Sequence, residues 1–503
     1  MRPLLCISGL VLALLWTASC RKDFDYAPGT GQLQFSKDTV FLDTVFSNIG
    51  SATYTLKVYN RGGQDIRIPQ IGLEGGDSSR YRLNVDGRAG NSFEDVPLLA
   101  GDSLYIFIET TFDIRPLNQN TFLYTDAILF DSGPREQKVP LLTLVRDAVF
   151  LYPARQADGR RETLVLGKDA QGNDLEVPGF ELPDSLLVLT DEKPYVIYGY
   201  AGVAQGKTLE IQAGARLYFH QGSGLFVDAG ARLTVAGELS EDPGALEREV
   251  VMEGDRLEAA YSDTPGQWDG LWLSSGSNGH AVEYLTIKNA IRGIFLEGNP
   301  GSGTPVLHMR NSRIYNSALV NLWTRNTYVL GENLVLGNAG VASLLCENGG
   351  RYSFRHCTLA NYWSEGGRSG PTLLLDNTAD GAGFQASDFT SCLITGNAAQ
   401  ELGILGEEGG LSYLFSHCLI RYEGGGGPGP GFTDGEKFIQ VLLNAAPGFI
   451  NPARQDFRIG PSSQVLGLAN PDTALLLPLD LLGTDRTSEP DMGAYQHLAS
   501  ESP

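Results

Sequence analysis

One unit recurs through the second half of this 503-residue chain: two hydrophobic residues separated by a single position, then an Asn. It reads Leu285-Thr286-Ile287-Lys288-Asn289, then Ser312-Arg313-Ile314-Tyr315-Asn316. It returns as Leu334-Val335-Leu336-Gly337-Asn338 and Cys357-Thr358-Leu359-Ala360-Asn361. Looser copies are Cys392-Leu393-Ile394-Thr395-Gly396-Asn397 and Cys418-Leu419-Ile420-Arg421-Tyr422, the last without the Asn. Their central positions lie 27, 22, 23, 35 and 26 residues apart. Repeats of this length mean a solenoid or a propeller, because each repeat leaves an apolar edge that only its neighbour covers. Period-two alternation, Gly-rich corners and uneven spacing favour stacked strands over a helical array. The expected fold class is therefore all-β. Ala213-Gly214-Ala215-Arg216-Leu217 also returns at Ala229-Gly230-Ala231-Arg232-Leu233, 16 residues on. The 35-residue gap holds Ser364 to Gly370, which reads as a loop inserted into one repeat. The Asn positions read as corners, where Asn accepts unusual dihedrals and bonds to its neighbours.

The first part of the chain alternates differently. From Leu33 to about Asp147, Ala52, Tyr54, Leu56 and Val58 face one way, as do Leu104, Ile106 and Ile108. Asn60-Arg61-Gly62-Gly63, Gly75-Gly76-Asp77, Ala100-Gly101-Asp102 and Asp131-Ser132-Gly133-Pro134 punctuate these strands. Several strands at this spacing predict a β-sandwich. Residues 149–194 show no clear period and read as a connector and a cap. The chain carries 59 acidic and 37 basic residues, a net charge of -22. That balance disfavours nucleic acid and anionic lipid headgroups as partners, and it permits cation binding.

The N-terminus carries an address. Arg2 precedes an apolar run from Leu4 to Trp16, and Thr17-Ala18-Ser19 leads to Cys20. This is the pattern of a secretory signal peptide, and the run is short for a permanent membrane span. A cysteine directly after the small residues resembles the bacterial lipobox, with Thr17 where that motif usually has Leu. The resemblance implies that Cys20 is lipidated and that the chain is held to a membrane through its N-terminal lipid. Two or more acyl chains, at ~0.8 kcal/mol per methylene, anchor stably. Arg21-Lys22-Asp23-Phe24-Asp25 resembles the surface-export signals of Bacteroidota lipoproteins, which implies an outer-membrane protein exposed on the cell surface. The following Pro/Gly stretch suits a flexible tether.

Further resemblances set the architecture. Leu56-Lys57-Val58-Tyr59-Asn60-Arg61-Gly62-Gly63 resembles a strand-to-turn signature of bacterial immunoglobulin-like domains. Gly266-Gln267-Trp268-Asp269-Gly270-Leu271-Trp272 and the repeats after it resemble a right-handed parallel β-helix of the pectate-lyase-like type. Pro447-Gly448-Phe449, Asp456-Phe457-Arg458, the run from Asp480 to Arg486 and Pro490-Asp491-Met492-Gly493-Ala494-Tyr495 resemble the closing segment of such proteins in Bacteroidota. The implied organisation is a signal peptide over 1–19, a tether over 20–31 and an immunoglobulin-like sandwich over 32–148. A connector over 149–194, a right-handed parallel β-helix over 195–446 and a closing segment over 447–503 follow.

Catalytic chemistry is hard to find. Cys357, Cys392 and Cys418 share one repeat position. Adjacent strands lie ~4.8 Å apart while bridged β-carbons prefer ~3.8 Å, so these residues suit a buried ladder of thiols better than a disulfide. Cys346 belongs on another face. His356-Cys357 and His417-Cys418 suggest a metal, yet neighbours on a strand point to opposite faces. Polysaccharide lyases need acidic groups and a Lys or Arg base. Between Asn289 and Glu436 there is no lysine, which leaves the scattered arginines, such as Arg313, Arg325, Arg351 or Arg355. Asp376 and Asp380 flank a turn that could hold a cation or simply be solvated. A glycosidase needs two apposed carboxylates, and no repeat position shows a recurring Asp or Glu to supply them. Gly424 to Gly431 is a loop with no helix behind it to cradle phosphate. No catalytic residue, metal ligand or cofactor is assigned.

Trp268, Trp272, Trp323, Tyr362 and Trp363 could stack on sugar rings if exposed, or pack in the core. Trp323 and Trp363 are the candidates for stacking. The reading that follows is a non-enzymatic, membrane-anchored lipoprotein that displays a β-helix on an immunoglobulin-like stalk and binds a glycan or another surface protein. The alternatives are an extracellular polysaccharide lyase or glycoside hydrolase, and a structural envelope protein. Ligand identity and oligomeric state are left open by the sequence.

Overall fold

The computed structural model describes residues 26–498 apart from 29–32, 48, 113–120, 132–135, 169–170, 299–300, 302, 380–382, 407–410 and 425–429. The leader 1–19, Cys20, Asp380, the Ser132–Pro134 turn and most of the Gly424–Gly431 loop fall outside the described residues. The chain divides into two compact units, residues 1–147 and 148–503.

The first unit has two mainly antiparallel sheets around one core. One sheet runs Ala27–Pro28, Ile66–Leu73, Thr121–Phe130, Gln137–Arg146, Val40–Phe46, with Ser92–Leu98 also on Ile66–Leu73. The other runs Gln34–Phe35, Tyr54–Tyr59, Ser103–Thr110, Tyr81–Val85, Arg88–Gly90. The alternation read from the sequence appears as burial. Leu56, Val58, Leu104, Ile106 and Ile108 meet Ile68, Ile71, Ile128 and Leu141 in one cluster. Tyr81 crosses this core, and its hydroxyl donates to Thr143 Oγ1 at 2.9 Å. Within the stretch 20–31 expected as a tether, the described residues Tyr26–Pro28 contact the first unit: Ala27–Pro28 pairs with Ile66 and Arg67, and Arg67 lies over the Tyr26 ring.

The second unit is built of two long parallel sheets, of 11 and 18 strands. In the 11-stranded sheet the central positions of the repeat stack in register: Ile287 on Ile314, Leu336, Leu359, Ile394 and Ile420. All six are fully buried. Each contributes about 1.5–3 kcal/mol on leaving water, but only when its neighbour covers it. Asn289, Asn316 and Asn338 adopt left-handed backbone at the corners, with φ of 63°, 62° and 49°. Asn316 Nδ2 donates to Asn289 Oδ1 at 2.6 Å, so the corners bond one to the next.

Two expectations change. The 16-residue echo of Ala-Gly-Ala-Arg-Leu does not separate stacked layers. Leu217 lies in the 11-stranded sheet, whereas Leu233 pairs with Leu209 in the other, 24 residues away. The connector also begins the stack: Val149–Leu151 pairs with Tyr195–Ile197. Thr163–Lys168 and Asp174–Glu181 form a hairpin, and Val188–Leu189 pairs in parallel with Glu210 and Ile211.

The closing segment covers the outer face of the 11-stranded sheet. Phe457, Leu481, Ala494 and Tyr495 cluster with Val335 and Ala360, and Ile459, Val465 and Met492 with Leu393 and Leu419. Gly337 is what lets Phe457 lie flat, because a Cβ there would collide with its ring. Arg486 pins the segment: it is 1% exposed and donates to Gly493 O and to Asn333 Oδ1, both at 3.1 Å. Burial pushes its guanidinium down to about 10.

Cys357, Cys392 and Cys418 form the expected ladder, all buried and free, and Cys392 N donates to Cys418 Sγ at 3.4 Å. Cys346 is buried in the 18-stranded sheet, where burial raises its thiol to about 12. Such thiols are poor nucleophiles. A soluble chain lacking its first 20 residues will therefore show no reactive thiol when folded and four when unfolded. Rapid labelling of the folded chain would contradict this packing.

Candidate binding groove on the outer sheet face

The 18-stranded sheet repeats a second unit, small-aliphatic-outward-inward-polar. It reads Gly224-Leu225-Phe226-Val227-Asp228, Gly270-Leu271-Trp272-Leu273-Ser274, Gly293-Ile294-Phe295-Leu296-Glu297. It continues as Asn321-Leu322-Trp323-Thr324-Arg325, Ser343-Leu344-Leu345-Cys346-Glu347 and Thr372-Leu373-Leu374-Leu375-Asp376. The strands pair in parallel so that Phe226, Trp272, Phe295, Trp323, Leu345 and Leu374 stand in one row. Strand alternation sends Leu271, Ile294, Leu322 and Leu344 into the core and this row outward.

The aromatic part of the row is contiguous. Ring centroids are 5.8 Å apart for Phe226–Trp272, 5.3 Å for Trp272–Phe295 and 5.1 Å for Phe295–Trp323, all tilted or edge-on. Phe226 and Phe295 are buried between their neighbours, while Trp272 and Trp323 are half-buried. The Thr163–Lys168 hairpin covers the start of the row, setting Leu164, Leu166 and Val177 against Tyr200, Phe226 and Trp272. Gly202 makes room for it, since a Cβ there would lie 2.8 Å from Leu164. A cavity of about 330 Å³ opens beside the hairpin, lined by Leu166, Lys168, Asp174, Asp228, Ser274 and Glu297.

Beside the rings runs a polar row. Arg325 pairs with Glu297 and Glu347 one strand away, and Glu347 pairs with Asp376. The Arg325 guanidinium donates to Glu297 at 3.0 Å and to Glu347 at 3.1 Å. It lies 5.3 Å from the Phe295 ring centre and 5.7 Å from that of Trp323. Glu347 also accepts the Trp323 indole N–H at 2.9 Å, which fixes that ring. On the other side of the rings the Tyr200 hydroxyl donates to Asp269 at 2.7 Å, and burial raises its pKa.

This geometry corrects the expectation that no repeat position carries recurring acids. Asp228, Glu297, Glu347 and Asp376 occupy one position of this second unit. The Asn-bearing unit belongs to the other sheet, so a search along it misses them. A Gly-aliphatic-aromatic start marks the copies that carry Asp228 and Glu297, whereas those that carry Glu347 and Asp376 begin Ser-Leu-Leu and Thr-Leu-Leu and show no such signal.

The sequence candidates divide. Trp323 lies in the groove. Trp363 does not: it is 9% exposed at a corner, where its backbone N–H donates to Asn361 Oδ1 and its carbonyl accepts from Asn397, so burial withholds its ring from stacking. Trp268 is fully buried against Phe219. Of the four arginines only Arg325 is in the groove. Arg313 is paired with the buried Glu249 at 2.6 Å, Arg355 with Glu332 at 3.1 Å, and Arg351 lies over Tyr328. Asp376 accepts from the N–H and hydroxyl of Thr378, which is a turn. His356 is a left-handed corner residue buried near Arg486, where burial holds its imidazole well below the usual value. Cys357 turns into the core, so the two do not converge. Among the described residues, no group of three His, Cys, Asp or Glu could hold a metal ion.

No protein-family model matches the chain, and no curated protein matches it. Among solved structures it is similar to a family 123 glycoside hydrolase from Clostridium perfringens, at 9% identity and a TM-score of 0.17. That likeness covers 23% of this chain and 24% of the other, and it carries no argument about activity.

Proposed function

We propose that this chain is a lipid-anchored surface protein that binds a neutral glycan without cleaving it. In this reading residues 1–19 are a signal peptide and Cys20 carries lipid. The first unit is an immunoglobulin-like sandwich acting as a spacer, and the second is a right-handed parallel β-helix of the pectate-lyase-like type. The mainly antiparallel two-sheet core and the registered parallel sheets support these assignments.

The observation that carries the functional reading is the row Phe226, Trp272, Phe295 and Trp323 with Glu297, Arg325 and Glu347 beside it. Aromatic faces suit the apolar faces of sugar rings, and carboxylate and guanidinium groups suit hydroxyls. Recurring acids with one cation among them disfavour an acidic polymer, which makes the ligand neutral. Arg325 engages both nearby carboxylates, and this ion pairing supports the non-cleaving reading.

A glycoside hydrolase is the second reading, favoured by one feature. Glu297 and Glu347 lie on the two strands that flank Arg325 and both reach its guanidinium, so two carboxylates stand on one face of the groove, the pair of groups a glycosidase needs. The deciding experiment titrates the soluble chain with neutral polysaccharides and assays products with and without calcium. Trp323→Ala and Trp272→Ala should each weaken binding roughly tenfold, as loss of a stacked ring does. Binding that ignores both changes would overturn the groove. Product formation lost in Glu297→Gln would establish the hydrolase instead.

The anchor has its own test. Cys20→Ala should move the protein from the membrane fraction to the soluble fraction, and unchanged fractionation would refute lipidation.

A further inference from the structure

A second cavity, of about 560 Å³, lies in the same unit, against the corner that precedes strands Tyr200–Val203 and Gly224–Val227. Its walls carry Tyr152, Arg155, Arg161, Tyr198 and His220, with Pro153 and Pro178 between them. Tyr152 is 66% exposed, and Tyr198 stacks on His220 with ring centres 4.5 Å apart. His220 Nδ1 is 2.8 Å from the buried carboxylate of Asp255, which fixes the ring and leaves Nε2 for another partner. Burial raises the pKa of that carboxyl.

The cations are placed in an unusual way. Arg155 and Arg161 face each other across an antiparallel bridge. Like charges directly opposite on paired strands repel. Neither has an ion-pair partner among the described residues. Arg160 is matched by Asp158 at 3.6 Å, and the Glu162 carboxylate accepts from Ala154 N at 3.2 Å. In a chain of net charge -22, this cavity is lined by two arginines without ion-pair partners and a histidine, and by no carboxylate. An oxyanion between them would relieve the repulsion and accept charge-assisted hydrogen bonds. The tyrosines and prolines supply apolar surface for a ring.

We propose that Tyr152, Arg155, Arg161, Tyr198 and His220 form a second binding site, for a sugar ring carrying an oxyanion, either carboxylate or sulfate. The site is independent of the groove, whose acids call for a neutral ligand, and the two readings can fail separately.

The test is saturation-transfer NMR on the soluble chain with methyl glucuronide, glucose 6-sulfate, methyl glucoside and inorganic sulfate as probes. One or both acidic sugars should bind, the neutral sugar should not, and inorganic sulfate should bind more weakly than a sugar. Which acidic sugar binds better distinguishes carboxylate from sulfate. Arg155→Gln combined with Arg161→Gln should weaken binding at least tenfold, and Tyr152→Ala several-fold, with the urea midpoint unchanged. Because both arginines are exposed and unpaired, the double variant should fold. If neither acidic sugar binds at millimolar concentration, or if the double variant binds as the parent does, the proposal fails. Equal binding of inorganic sulfate and the sulfated sugar would remove the ring from it.

Discussion

Everything in the second unit depends on one constraint: a parallel strand buries its inward aliphatic only when the next strand stacks on it in register. Ile287, Ile314, Leu336, Leu359, Ile394 and Ile420 meet this condition in one sheet. Leu271, Ile294, Leu322 and Leu344 meet it in the other. A slip by one residue would turn every apolar side chain outward. Register fixed for the core is register fixed for the outer face, so Phe226, Trp272, Phe295 and Trp323 fall into line without further contacts to align them. The groove is a consequence of the packing behind it.

The two outer faces have different fates. On the 11-stranded sheet, Val335, Ala360, Leu393 and Leu419 are roofed by the chain's own closing segment, with Phe457 and Tyr495 in place of solvent. Arg486 holds that roof through Asn333, a corner residue, and Gly493. On the 18-stranded sheet only the first rings are roofed, by the 163–181 hairpin. Trp272 and Trp323 remain half-open. Covering one face and leaving the other partly open separates structural from ligand-facing surface.

The repeat centres were legible because an alternating apolar pair recurs, in three copies two residues before an Asn that takes the left-handed corner, and the cysteine ladder was legible because Cys357, Cys392 and Cys418 hold the same place two residues before a repeat centre. The 16-residue echo misled because the Ala-Gly-Ala turn chemistry recurs at corners of different sheets. The acidic row was present in the sequence at Asp228, Glu297, Glu347 and Asp376, yet it was hidden by Ser274 and Arg325 breaking the series. Trp323 and Trp363 look alike in sequence. Only pairing shows that the first stands in a strand's outward row and the second at a corner. The Arg155–Arg161 bridge belongs to a stretch without period, where sequence gives no basis for pairing residues six apart.

The central claim is that register alone preforms the groove. Nitroxide labels at Asp228→Cys and Asp376→Cys measure it directly, since the native cysteines of the described residues are buried. The two positions are five strands apart in the sheet, about 24 Å at the usual spacing. The account predicts one narrow distance distribution near that value, unchanged when a neutral polysaccharide is added. A broad distribution, or one that shifts to the expected distance only with ligand, would contradict it.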